Sequence, residues 1–256
     1  MMKCRTLLAA TAVLGIQASA PQVQLKTASA HPMQYYLSLP DGWSPNRKWP
    51  TLVVIEGANR DFQQTAQAFV TERKSRPFII VVPLVLTAGG SAQQHKTDFP
   101  YSDSVWSAAT QEGNCRFDED GISAVLADVR RLYSAEDRDF LTGWEAGGHV
   151  VWAQVLQHPE RWRGVAIVSP NFQARCVDDQ RISSDTTRST LSVTVLHGDS
   201  TAGWGPGQFL PTQFERARSL AAAHGFAQPR EIAVAPYHHG PLAHEVLQLF
   251  SALLRE

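Results

Sequence analysis

Apolar residues in this chain gather into short, evenly spaced runs. Segments 51–55 (Thr-Leu-Val-Val-Ile) and 78–82 (Phe-Ile-Ile-Val-Val) are almost wholly hydrophobic and are followed by Gly57 and Pro83. Runs of this length read as strands buried on both faces of a parallel sheet, since a solvated face would need alternate polar positions. Segments 139–142, 165–168, 191–196 and 231–235 repeat the pattern. Between them the period lengthens to that of a helix. Ile122, Val125, Leu126, Val129 and Leu132 form one stripe over 120–133, and further helices are predicted over 146–157, about 209–224 and 241–254. Residues 33–39 alternate as an antiparallel edge strand does. Strand and helix alternate along most of the chain, which predicts a three-layer α/β sandwich, mostly parallel, with helices on both faces. Ligands of such sheets sit outside the carboxyl ends of the strands. Chemistry is therefore expected in the loops that begin at Glu56, Pro83, Gly143, Ser169, His197 and Pro236.

The start of the chain does not follow this pattern. Lys3 and Arg5 precede an apolar run over 6–16, and Ala18-Ser19-Ala20 offers a small-x-small cleavage site. That is the layout of a signal peptide over 1–20, with export to the periplasm or the medium as its consequence. Pro21 is unfavourable just after a cut, so Ala28-Ser29-Ala30 is a second candidate. A buried N-terminal helix is the alternative; a bilayer span is excluded by length, because it takes about 20 apolar residues. Residues 31–256 then form one domain, with no linker or composition break to divide it. The 256 residues are 43% hydrophobic with a net charge of -1, so nothing in the charge calls for nucleic acid or an anionic membrane. Cys4 leaves with the signal. Cys115 and Cys176 remain as a possible disulfide, or as two buried thiols.

One stretch carries more than topology. An apolar strand runs into Gly143-Trp144-Glu145-Ala146-Gly147 and then a helix. This is the layout of the nucleophile elbow, where the central position is a serine on a sharp strand-to-helix turn. Here it is Glu145. Leu196-His197-Gly198-Asp199 follows with an acid at the end of a late strand, and Pro236-Tyr237-His238-His239 with histidines before the last helix. Elbow, acid, histidine is the chain order of α/β-hydrolase triads. The chain resembles the α/β-hydrolase superfamily from about residue 34 onward, with a closer likeness to secreted polyhydroxybutyrate depolymerases and feruloyl esterases.

That resemblance implies an esterase-like site acting on a small-molecule or polymer ester. His239, in the family register before Gly240-Pro241-Leu242, takes the catalytic histidine's place, with His238 beside it in the cleft and His244 in the following helix. Asp199 orients His239, or caps the turn Gly198-Asp199-Ser200. Backbone N–H groups of Ala58 and Ala146 supply the oxyanion hole. The loop carrying Ala58 normally opens His-Gly, but here reads Glu56-Gly57, which puts a second carboxylate near the cleft or leaves it solvated. Trp106 and Trp144 are candidates to line the cleft or to pack against the core, and Asp118-Glu119-Asp120 reads as an acidic helix start. Ser102, Ser104 and Ser107 read as loop serines.

Glu145 admits several chemistries. A carboxylate can attack carbon, as the elbow aspartate does in haloalkane dehalogenases and epoxide hydrolases, or act as general base on water with His239 as partner. Loss of nucleophilic catalysis would instead leave a fold that binds a small molecule, glycan or protein partner. Glu145, Glu56 and Asp199 near one pocket, offset by His239 and Arg60, would raise one carboxyl's pKa or hold His239 protonated. Glu145, Glu56 and His239 could also ligate a divalent cation, although no ligand spacing asks for a metal and no cofactor is expected.

Overall fold

A computed structural model of the chain describes residues 22–198, 204, 208–236 and 239–255. The proposed signal segment, Asp199 and His238 lie outside the described residues. Eight strands form one sheet: β1 (Gln24–Thr27), β2 (Gln34–Ser38), β3 (Thr51–Ile55), β4 (Ile79–Pro83), β5 (Asp139–Trp144), β6 (Trp162–Val168), β7 (Val193–Gly198) and β8 (Arg230–Val234). Their order is β1-β2-β4-β3-β5-β6-β7-β8, with β1 and β2 antiparallel and the rest parallel. This is the α/β-hydrolase sheet.

The helices are α1 (Phe62–Arg73), α2 (Asp103–Glu112), α3 (Asn114–Tyr133), α4 (Gly148–Gln157), α5 (Phe209–Ala223) and α6 (Ala243–Leu253). β3, β4 and β5 are buried along their whole length, as their unbroken apolar runs require. Among the described residues no helix is long and apolar enough to cross a membrane.

Three expectations need correction. The alternating segment 33–39 is antiparallel but not the edge; β1 pairs outside it with Gln24 opposite Leu37. Ser102, Ser104 and Ser107 belong to α2, not a loop: Ser102 caps it, accepting from Val105 N, and Ser107 donates to the Asp103 carbonyl. The acidic triplet 118–120 lies inside α3, which starts four residues earlier than Asp118. Asp118 is buried and accepts from the Leu86 and Thr87 amides, which fixes the loop after β4 to the helix. Burial raises its pKa to about 7.

The order β4-β3-β5 decides where the site is. The chain leaves β3 toward β4 through α1, and leaves β5 toward β6 through α4. Connections diverge at this point, so the crevice opens between the loops after β3 and β5.

Candidate active site

At the end of β5 the chain turns sharply through a short 3₁₀ turn (Glu145–Gly147) into α4. Glu145 sits at φ 50°, a left-handed conformation that costs a non-glycine residue about 1–3 kcal/mol. The turn is held from outside: the Asn171 amide donates to the Glu145 carbonyl at 2.9 Å. It is also packed from behind. A Cβ at Gly147 would lie 2.7 Å from the carbonyl oxygens of Ile55 and Glu56, so only glycine lets α4 approach the loop after β3 this closely. The elbow backbone is therefore complete, and only the side chain departs from the pattern.

The side chain of Glu145 is half-exposed and reaches the facing loop. A Cβ built on Gly57 would fall 3.1 Å from Glu145 Oε2 and 3.0 Å from the Trp144 ring. Trp144 is buried, and its ring meets that of exposed His239 edge-on at 5.2 Å between centroids. Glu145, Trp144, His239 and the Gly57–Ala58 loop thus gather at one end of the sheet. Ala146 is buried in the 3₁₀ turn that leads into α4.

Glu56 does not line the cleft, nor is it a solvated loop carboxylate. It is fully buried, accepting from Thr65 Oγ1 and, at 3.2 Å, from Trp144 Nε1. Burial pushes its pKa up, with the hydrogen bonds from Thr65 and Trp144 opposing. The raised carboxyl expected from crowded charges is therefore present, but its main cause is desolvation. Trp144 is likewise a support, bonded to Glu56 from below and covered by His239.

Arg60 does not offset these carboxylates. Its guanidinium donates to the Ala58 carbonyl at 2.8 Å and the Gly90 carbonyl at 3.3 Å, which ties the candidate oxyanion loop to the loop after β4. Trp106 is 4% exposed and packs among Phe99 and Tyr101, away from the elbow contacts, so it is core rather than cleft. His244 pairs with Glu72 across α6 and α1. Glu145, Glu56 and His239 form no metal-holding group; none was found among the described residues.

Cys115 and Cys176 form a disulfide. It joins the start of α3 to the loop after β6, which carries Asn171 and Arg175. Arg175 donates to the carbonyls of Thr87, at 2.7 Å, and Gly89. A Cβ at Gly89 would lie 3.0 Å from the Ala58 Cα, so this arginine braces the Gly57–Ala58 loop through a neighbour. Asn171, Thr65 and Arg175 carry no motif, and sequence reading had no signal for them. His149, one turn past the elbow, is buried and its pKa falls to about 4, first through burial and then through Arg175.

Comparison with known proteins agrees with this fold. A thermostable esterase superposes with a TM-score of 0.55 at 15% identity, over 92% of this chain; the chain spans 63% of that esterase's length. A poly(3-hydroxybutyrate) depolymerase from Bordetella parapertussis gives 0.59 at 17% identity, covering 91% of this chain and 89% of the depolymerase. An S-formylglutathione hydrolase from Staphylococcus aureus gives 0.60 at 11%, covering 92% and 96%. Likeness at these identities establishes the fold. No curated protein sequence matches significantly. The family model described as "Putative esterase" matches residues 27–235. Because that match spans most of the chain, including the elbow and its facing loop, the protein belongs to this esterase family of the α/β-hydrolase superfamily.

Proposed function

We propose that the protein hydrolyses carboxylic esters or related acyl bonds, with Glu145 as general base on water in place of the family's acylated serine. The observation that carries this reading is the elbow itself. A strained φ of 50° is maintained at Glu145 and pinned by Asn171, so the carboxylate stands where the fold presents its reacting group. Direct attack by a carboxylate on an acyl carbon would give a mixed anhydride, less stable than the ester consumed, and the side chain is one methylene longer than the aspartate of relatives that attack saturated carbon. Base catalysis avoids both problems.

In this scheme Glu145 takes a proton from water, and the resulting hydroxide adds to the acyl carbon. The Ala58 and Ala146 amides hold the developing oxyanion. The leaving alkoxide is protonated by His239, which Asp199 orients, and the proton on Glu145 returns to His239 to reset the site. The disulfide and the signal-like segment 1–20 support action outside the cytoplasm.

One observation favours a second reading. Glu145 Oε2 lies against Gly57, beside the oxyanion loop, where a fixed negative charge opposes an oxyanion. A catalytically silent fold that binds a ligand at the crevice would tolerate this. Assays on short p-nitrophenyl esters separate the two, using wild type, Glu145→Ala, Glu145→Ser and His239→Ala. Hydrolysis by wild type that Glu145→Ala and His239→Ala both abolish supports the base mechanism. No turnover by wild type across a broad ester screen, with activity appearing only in Glu145→Ser, establishes the silent fold. Hydrolysis in ¹⁸O-water tests the step itself, because label incorporated into the Glu145 carboxyl would mean covalent attack.

A further inference from the structure

A second site opens beside the oxyanion loop. An open cleft of about 520 Å³ lies where β2, the loop after β3 and the first turns of α1 meet. That volume is within the roughly 300–1,000 Å³ of small-molecule sites. Its polar lining includes the Tyr36 hydroxyl, the Asp61 carboxylate and the amides of Gln63, Gln64 and Gln67. Tyr36, Asp61, Gln63 and Gln64 make no side-chain hydrogen bond to any described residue, and Gln67 makes only a long 3.5 Å contact to Thr71. Several donors and acceptors thus converge on one cleft without partners among the described residues.

Their chemistry selects a ligand. An amide offers donor and acceptor together, which matches a hydroxyl that is itself both, and several amides in a row match adjacent hydroxyls. Among the described residues lining the cleft, the cation is Arg60, which is buried and already directed at the Ala58 and Gly90 carbonyls, while Asp61 and Asp98, the latter beside His95, are exposed at the rim. An anion would meet more negative than positive charge there. Apolar surface is also present: Phe62 is held rigid against Phe99, and the half-buried Tyr36 ring offers a face to C–H groups. We infer that this cleft binds a neutral saccharide of one or two sugar units, at a site that shares no residue with the proposed catalytic set.

The test uses the whole protein with glucose, maltose, cellobiose and xylobiose as probes, followed by saturation-transfer NMR and calorimetry. Inorganic phosphate and spermine serve as the charged comparisons. At least one sugar is expected to bind wild type. Binding should weaken tenfold or more in the Gln63→Ala/Gln64→Ala double variant and less in Tyr36→Phe. Both glutamines are exposed on a helix where alanine is a better helix former, so a thermal melt should show the double variant folded. Glu145→Ala should leave the sugar affinity unchanged whatever becomes of esterase activity, which keeps this inference separate from the proposed function. The inference is overturned if no sugar binds, if spermine or phosphate binds instead, if the double variant binds as wild type does, or if Glu145→Ala abolishes binding and so moves the sugar to the elbow.

Discussion

Two glutamates begin the loops after β3 and β5, and the structure treats them in opposite ways. Glu56, after β3, is fully buried, bonded to Thr65 and Trp144, and pushed by desolvation toward its neutral form. Glu145, after β5, is half-exposed on a strained turn, and its side chain makes no hydrogen bond to any described residue. One belongs to the scaffold under the site and the other is available to a substrate. The difference teaches that an unusual residue type near a site says little until its solvation is known. Removing water from a carboxyl without a counter-charge raises its pKa, so burial decides more than residue type does.

The contrast can be broken in several places. The largest effect is expected at Glu145. Glu145→Ala should lower kcat/KM on p-nitrophenyl esters by ~10²–10⁴-fold, the usual range for a general base, with little change in melting temperature. A comparable loss in Glu56→Gln would mean that Glu56 also acts in the chemistry.

Replacing Cys115 and Cys176 by serine should come next. Opening a crosslink of sequence separation 61 is expected to cost about 4 kcal/mol in chemical denaturation. It should also reduce turnover, because the freed loop carries the Asn171 amide that holds Glu145. Unchanged turnover at a lower stability would show the elbow to be held without that loop.

Glu56→Ala should destabilise by about 1–3 kcal/mol, since it leaves the Trp144 N–H and Thr65 hydroxyl buried without their acceptor. A melt no different from wild type would place Glu56 with Glu145 as a solvated group.

The smallest effect is a pH dependence. Because the Glu56 carboxyl titrates above its ordinary value when folded, the folded chain keeps this proton longer than the unfolded chain does. Its contribution is complete at low pH and is lost as pH rises past the unfolded value of about 4.3. Glu56→Gln, neutral throughout, should therefore gain stability relative to wild type as pH is raised from 4 to 7. Asp118→Asn should behave alike, over a window ending near the Asp118 pKa of about 7. Parallel stability curves for wild type and Glu56→Gln would show Glu56 ionised in the fold.

Much of the architecture was legible because burial on both faces leaves a plain mark. β3 to β8 were visible as apolar runs and α4 to α6 as periodic ones to within two residues, whereas α3 starts at Asn114, ahead of the stripe predicted from 120. β1 was not, since Gln24–Thr27 is largely exposed and has no apolar face to show. α1 and α2 escaped for other reasons: the buried stripe of α1 includes the polar Thr65 and Arg73, α2 buries only Trp106 and Ala109, and Gln63, Gln64, Ser104 and Ser107 give both the composition of loops. At the site, the elbow, the crevice and the place of His239 followed from order along the chain. Trp106 was misplaced because an aromatic residue near a site and one in the core look alike in sequence.

The sequence by itself determined the strand order of chemistry: a glycine-flanked elbow, then an acid, then a histidine, on an alternating α/β frame. It determined that the elbow residue is a carboxylate. Tertiary structure alone decided which of the two carboxylates keeps its water, since that depends on Thr65, Trp144 and Gly57 arriving from three separate segments. It also decided that Asn171, reached across the sheet from β6, holds the strained turn, and that Cys115 and Cys176 meet. Solvation and strain are properties of contacts between distant parts of a chain, and local sequence carries no record of them.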